Sequence, residues 1–427
     1  MKRAIDRLIT TMAVAASLAA GFTSCEKEVV EDTTIPESEL IERKDIELTR
    51  AQMDFVRSNN GFAIELFKKV SETGKSAVIS PLSVTFALGM VNNGAVGDTQ
   101  KEISEALGYK EGSADGLNGF CETMLRQMTE VDPSTKLELA NMALVNKGLV
   151  PLKNEFSSTI QSIYDAEVCY KDFNKEDIKG YVNRWCEQKT HGMIKDFLNS
   201  PVSPRIYSLF LNATYFKGIW SNKFKKSDSK KEKFTMENGN KVTVNMMRQK
   251  DKFDYGGYLG LYRTLTLPYG NQAFRMTFVL PDEGKTLDDI KSLLDQESWS
   301  EMISKQAGVV TDVKIPSFET ELETSSLKEA LEALGIKKAF DYEQADFSKM
   351  TDLDVYISDV IHKAKIKVDE EGSEAAAVTA VIAVAGSNGS SDYKPMELEF
   401  HADRPFLYAI TEVSTGAILF IGQYTGQ

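Results

Sequence analysis

Apolar residues recur at helical spacing in some stretches of this chain and at strand spacing in others. After Ser80-Pro81, the residues Leu82, Phe86, Ala87 and Met90 fall at helical intervals, with Ser80 placed as a capping hydroxyl and Pro81 suited to the first turn. Thr99-Gln100-Lys101-Glu102 has the form of a capping box before Ile103, Ala106 and Leu107, and Gly108 can terminate that helix. Ser326-Leu327-Lys328-Glu329 repeats the device ahead of Leu331, Leu334 and Gly335. Strand signals are as plain. Residues 276–280 are apolar and stop at the turn sequence Pro281-Asp282-Glu283-Gly284. Residues 406–410 and 418–421 flank Ser414-Thr415-Gly416, a hairpin signal. Helices and strands alternate without a regular β-α-β rhythm, so the expected class is α+β with sizeable antiparallel sheet.

The chain has 427 residues, 42% hydrophobic and 26% charged, which suits a globular protein with a large core. Its net charge of −13, with no basic run long enough to track a phosphate backbone, argues against nucleic-acid binding. At the N-terminus, Lys2, Arg3 and Arg7 precede a moderately apolar stretch over 8–22, then Thr23-Ser24-Cys25 and an acidic segment. That stretch is too short and too rich in Ala and Thr for a membrane span. It resembles a bacterial lipoprotein signal over 1–25, with Cys25 as the lipidated residue; ordinary signal cleavage near Ala20 is the alternative. The lipoprotein assignment places an exported protein on the outer membrane, facing the periplasm or the cell surface, with the lipid as its membrane contact. Residues 26–48 are polar and Glu-rich, as in a flexible tether, and the folded domain is expected over 49–427. Cys121, Cys169 and Cys186 show no C-x-x-C pairing and are expected as free thiols.

Catalytic and metal signatures are missing. There are three histidines, His191, His362 and His401, and no G-x-S-x-G elbow, H-x-H or H-E-x-x-H. Thr73-Gly74-Lys75-Ser76 ends like a P-loop, but Lys69 occupies the place of the required upstream glycine. Neither an enzyme, a metal site nor a cofactor is expected.

The most unusual stretch follows Val368. Glu370-Glu371-Gly372-Ser373-Glu374-Ala375-Ala376-Ala377-Val378-Thr379 continues into an Ala/Val run ending at Gly386, then into a Ser/Asn/Gly-rich loop composition. On composition alone the apolar run is a buried hairpin strand or helix segment. Residues 370–377 nevertheless resemble the reactive-loop hinge of inhibitory serpins nearly residue for residue. Phe400-His401-Ala402-Asp403-Arg404-Pro405-Phe406 is similar to the family signature after that loop, and Asn212-Ala213-Thr214-Tyr215-Phe216-Lys217-Gly218-Ile219-Trp220 to a central strand and its tryptophan. Ser80-Pro81-Leu82-Ser83 resembles the start of the helix beneath the sheet. The likeness runs from about residue 50 to the end.

The resemblance implies a serpin fold, with about three β-sheets, eight or nine helices and an exposed reactive-centre loop near 370–399. It implies a monomeric serine protease inhibitor that is cut in the loop and traps the enzyme covalently as the loop enters the central sheet. The residues fit that task. Gly372 supplies a pivot, and Ser373, Ala375, Ala377 and Thr379 give one face of small side chains, with Glu374 on the other. The resemblance places Ser80, Ser83, Asn212 and His362 at the gate where the sheet parts, and Trp220 where insertion begins. Family spacing from Gly372 sets the reactive bond between Gly386 and Ser387, after Val384 and Ala385, with Tyr393 and Lys394 as minor alternatives. Small residues there suit elastase-like or subtilisin-like proteases, with cysteine proteases as a further class. A non-inhibitory serpin, acting as a binding module or a plain protease substrate, is the alternative function.

Overall fold

The computed structural model describes residues 42–109, 114–322, 326–373 and 398–426. Nine α-helices occur among them: α1 (Arg50–Val70), α2 (Pro81–Asn92), α3 (Gly97–Ala106), α4 (Ala114–Gln127), α5 (Asn154–Tyr164), α6 (Ile178–Lys189), α7 (Leu287–Leu293), α8 (Gln296–Ser304) and α9 (Lys328–Ala333). The strands are β1 (Ala77–Ile79), β2 (Lys136–Asn146), β3 (Ala166–Lys171), β4 (Ser208–Ile219), β5 (Lys230–Thr235), β6 (Lys241–Tyr258), β7 (Tyr262–Tyr269) and β8 (Phe274–Pro281). They continue with β9 (Ala307–Pro316), β10 (Phe318–Glu321), β11 (Lys365–Asp369), β12 (Gly372–Ser373), β13 (Leu398–His401), β14 (Phe406–Glu412) and β15 (Ile418–Tyr424).

The strands form two hydrogen-bonded sheets. One runs β10-β11-β12-β4-β2-β3; the other runs β1-β15-β14-β8-β7-β6-β9-β13, with β5 paired to β6. The sequence led to an expectation of about three sheets. The 18-residue β6 accounts for the difference, because it pairs with β5, β7 and β9 and so joins two of them into one ladder. A large apolar cluster includes residues of α1, α2, β8, β14 and β15; helix α2 is buried nearly all round, as its continuous apolar sequence requires. A second cluster joins α6 and residues 194–198 to Met142, Leu144, Leu211 and Ala213 of the smaller sheet.

Local sequence signals succeed where tertiary contacts agree with them. The hairpin forms as expected from β14 and β15. Thr49 caps α1 in a full capping box with Gln52. Three other caps differ from expectation. The Ser80 hydroxyl makes no cap bond. Helix α3 starts at Gly97 rather than after Thr99, whose hydroxyl is buried and accepts a hydrogen bond from the Asp346 amide at 3.0 Å. Ser326 donates to Asp359 at 2.6 Å, and Leu327 takes the cap position of α9. At Thr99 and Ser326 a tertiary demand outbids the local one. The tether expected to reach residue 48 also ends earlier, because Ile46 is buried and its amide donates to Ser414 Oγ at 2.9 Å.

That last contact depends on Glu412, which is fully buried in the turn between β14 and β15. Its carboxylate accepts from the Ser414 amide (2.8 Å) and hydroxyl (2.7 Å) and from the Thr415 amide (2.8 Å) and hydroxyl (2.5 Å). Removing one acceptor group strands four donors. Glu412→Ala should therefore lower the unfolding free energy by about 3 kcal/mol, measured by urea titration; a loss within 0.5 kcal/mol, in the range of an ordinary surface substitution, would refute this account of the turn.

Candidate functional site

Strand β4 pairs along its length with β2, from Lys217 opposite Lys136 to Ser208 opposite Val145. On its other side, the described partner is two residues long. Gly372 lies opposite Ile219 and Ser373 opposite Gly218, and the same two residues pair with Asp369 and Val368 of β11. Thus β12 is wedged between two strands at the upper end of a slot. Below it, no described residue pairs with the β4 edge.

The wedge explains Gly372. Its φ is +148°, and an added Cβ would meet the Gly218 carbonyl oxygen and lie 2.8 Å from Ile219 Cα. Only a residue without a side chain fits so close to a neighbouring backbone. Ser373 faces inward and is buried, its hydroxyl 2.7 Å from the Tyr269 hydroxyl. Tyr269 in turn stacks on Trp220, with centroids 4.3 Å apart and rings 10° from parallel. Burial pushes the Tyr269 phenol well above its ordinary value, so it stays neutral and serves as a hydrogen-bonding partner.

Trp220 holds the segment before the wedge by two bonds. Its amide donates to the Glu371 carbonyl at 2.9 Å, and its indole N–H to the Asp369 carbonyl at 3.0 Å. The acidic pair is anchored as well. Glu371 lies 2.9 Å from the largely buried Lys223 ammonium, an ion pair rather than an aligned hydrogen bond, and 3.4 Å from Lys226. The Lys223 charge holds the Glu371 carboxyl below its ordinary value. Glu370 accepts from Asn245 Nδ2 at 2.9 Å.

Seven residues down β4 from Ile219, a distance of about 23 Å at ~3.3 Å per residue, a second polar group lies beneath the sheet. Ser83 donates to Asn212 Oδ1, which also accepts from Thr214 Oγ1 at 2.8 Å. Asn212 Nδ2 donates to Asn141 Oδ1 at 2.8 Å, and Asn141 donates to the Tyr164 carbonyl at 2.7 Å. One turn from Ser83, the Ser80 amide donates to His362 Nε2 at 3.1 Å. The next residue, Lys363, donates to the Asp196 carbonyl and, at 3.3 Å, to Asn199. The segment leading into β11, which carries His362, is thereby tied both to α2 and to the segment after α6.

The structure therefore brings Ser80, Ser83, Asn212 and His362 together at the start of α2, and Trp220 to the head of the slot with Glu370, Glu371, Gly372 and Ser373. Asn141, Thr214, Tyr269 and Lys223 belong to these groups and were missed from sequence. Asn141 had a usable signal, a single Asn within the otherwise apolar run of β2. Tyr269 had none. His401, which showed no partner in sequence, lies 3.7 Å from Asp312. Glu374, Ala375, Ala376, Ala377, Val378, Thr379, Val384, Ala385, Gly386, Ser387, Tyr393, Lys394 and Cys25 lie outside the described residues. Cys121, Cys169 and Cys186 are free, and burial pushes the thiols of Cys121 and Cys186 up to about 12.

The family model described as "Serpin (serine protease inhibitor)" matches residues 57–426. Iripin-1 of Ixodes ricinus is 35% identical over 86% of this chain and 93% of its own. Human neuroserpin is 30% identical over 84% and 89%. Among solved structures, the thermophilic serpin tengpin in its native state superposes with a TM-score of 0.78 at 28% identity, covering 91% of this chain and 98% of its own. Thyroxine-binding globulin in complex with thyroxine gives 0.76 at 25%, covering 88% and 99%. This chain belongs to the serpin family, whose members are generally protease inhibitors.

The buried His362 gives this polar group a measurable pH signature. Burial alone pushes His362 from 6.5 down to about 4. A base whose folded value is depressed contributes its stability in full above the unfolded value, and the contribution fades as pH falls from about 6.5 towards 4. Moving from pH 7 to pH 5 should cost about 2 kcal/mol through this residue. Urea unfolding of the wild type and of His362→Asn at both pH values isolates it: the variant should lose that much less on acidification. Equal losses in the two proteins would overturn the assignment.

Proposed function

We propose that this serpin inhibits serine proteases by suicide-substrate trapping: acylation of the protease serine breaks the reactive peptide bond and releases the amine of the C-terminal part, and the N-terminal strand, still ester-linked to the enzyme, enters the slot between β11 and β4. The observation that carries this is the wedge itself, since Gly372 and Ser373 already occupy the first two places of the strand to be inserted. Their register extends naturally. Ala375 would fall opposite Phe216, Ala377 opposite Thr214 and Thr379 opposite Asn212, so the small face of the hinge meets the core side of β4. On the outer face, Glu374 would arrive opposite Lys217 on one side and Lys367 on the other, a favourable exchange for its one charge.

The energy is adequate. A strand of roughly a dozen residues, at about 0.5–1.5 kcal/mol per net hydrogen bond, gives on the order of 10 kcal/mol before packing, comparable to the whole stability of many domains. The uncut protein is then a kinetically held state, restrained by the gate around His362 and Asn212. No catalytic group of the serpin takes part. The chemistry is the protease's own acylation, arrested when the enzyme is carried along with the inserting strand.

We assign elastase-like or subtilisin-like proteases as targets, with the reactive bond between Gly386 and Ser387. Incubating the chain without residues 1–25 with such an enzyme should give an SDS-stable band near the summed masses. The released peptide should begin at Ser387 by mass spectrometry. Ser373→Arg, which puts a long charge where the Tyr269 hydroxyl now sits, should be cut without forming that band. Cleavage of the wild type with no stable complex, across elastase, subtilisin, chymotrypsin and trypsin, would sink the inhibitory function.

The N-terminal segment leads us to assign lipid anchoring at Cys25 on the outer membrane, on its periplasmic or surface side. The acidic stretch after Cys25 supports that placement. Metabolic labelling with palmitate in a bacterial host should mark the wild type and not Cys25→Ala; equal labelling, or none in either, would remove the anchor.

A further inference from the structure

The strongest charge anomaly in the molecule lies beside the hinge. The chain carries −13 overall, yet residues 223–252 hold ten Lys and Arg against four Asp and Glu. The structure lays much of this charge along one surface. Lys231 pairs across β5 and β6 with Asn245, the residue that holds Glu370, and Lys233 pairs with Thr243 one step further out. Lys241 stands at the end of the same row, opposite Thr235. Lys225, Lys230, Lys231, Lys233 and Lys241 are all exposed, and none is in an ion pair among the described residues. Lys226, exposed too, meets Glu371 and connects this strip to the wedge.

We propose that this strip is a docking surface for an acidic face of the protease that engages the loop; the proposal rests on the inhibitory function above. Three points favour it. Position comes first: through Lys226 and Asn245 the strip meets Glu371 and Glu370, the residues that lead into the wedge. Range comes second. Lys231 and Lys233, two residues apart on a strand, are separated by about 7 Å, within the ~8 Å screening length of physiological salt. They act together on a nearby partner. The third point is location on the ladder. Lysines on the edge strand β5 would also discourage pairing with another sheet, but Lys225 and Lys226 lie outside both strands. Edge protection does not require them.

The variant Lys231→Glu/Lys233→Glu/Lys241→Glu separates the two roles, because it keeps the edge charged while reversing the sign. None of the three contacts the wedge or the gate. Rates of SDS-stable complex formation would be measured against two subtilisin- or elastase-like proteases, one of net negative and one of net positive charge, across ionic strengths. For the acidic protease the variant should associate roughly tenfold more slowly at low salt, with a flattened or inverted salt dependence and an unchanged number of inhibitors consumed per enzyme. The basic protease should show no such loss. Equal effects on both enzymes, or none, would overturn the docking surface.

Binding to the catalytically inactive acidic protease, followed by surface plasmon resonance, tests the strip apart from trapping. If the wild type traps no protease, the inhibitory function fails. The strip still stands if that binding is salt-dependent and lost in the variant, and it falls if wild type and variant bind alike. Binding by a sulfated polysaccharide with no preference for the acidic protease would also reject it, in favour of a polyanion site.

Discussion

Everything in this structure turns on one edge of one strand. Every backbone N–H and C=O in a sheet interior must find a partner, yet the β11-facing edge of β4 meets only Gly372 and Ser373 among the described residues. A central strand with an edge to offer is a template that a further strand can satisfy. Most folds blunt such edges. Here the elements around it place Gly372 and Ser373 at its mouth and polar groups at both of its ends, which fits the insertion proposed above.

The two ends are held by chemistry of different kinds. At the head, the wedge is fixed by backbone bonds to Trp220, the hydroxyl pair of Ser373 with Tyr269, and the ion pair of Glu371 with Lys223. Lower down, the gate uses neutral groups buried away from water: Ser83, Asn212, Asn141 and an imidazole kept uncharged by burial. The charged anchor sits where Glu371 retains some exposure and Lys226 is open to solvent. The neutral group sits where an unpaired charge would cost several kcal/mol. Each interaction suits the dielectric in which it operates.

Much of this was legible in the sequence, for reasons that differ by residue. Gly372 could be read because a chain pressed against a neighbouring backbone admits no side chain, a constraint written in residue type. The hairpin from β14 to β15 could be read because turn chemistry is local. Ser83 and Asn212, 129 positions apart, came together only through the family likeness; no periodicity links them. Tyr269 was invisible, since an aromatic in a strand is ordinarily core and nothing local marks its hydroxyl for Ser373. Caps failed at Thr99 and Ser326 because hydroxyls are versatile. A distant partner, Asp346 or Asp359, can claim the group that local sequence offers to a helix end. The joining of the sheets through β6 was illegible for a related reason, since strand length can be estimated from pattern but its partners cannot.

Hydrogen bonds rather than apolar packing at the start of α2 suit the strand insertion proposed above. Apolar contacts in a close-packed core are lost together when strands separate, and the gap forfeits dispersion energy until it is refilled. Hydrogen bonds can instead be exchanged one for one with an arriving strand, so the open state need not be dry and empty for long. Asn212 shows the logic. Its side chain already bridges α2 through Ser83 and β2 through Asn141, independently of any partner on the β11 side. Under the proposed insertion, strand β4 would stay in place while its free edge changed partners, and the bonds of His362 and Lys363 on the opposite bank would be the ones to move or be remade. With one bank fixed and the other held by a few exchangeable polar bonds, the sheet could open without dissolving the core beneath it.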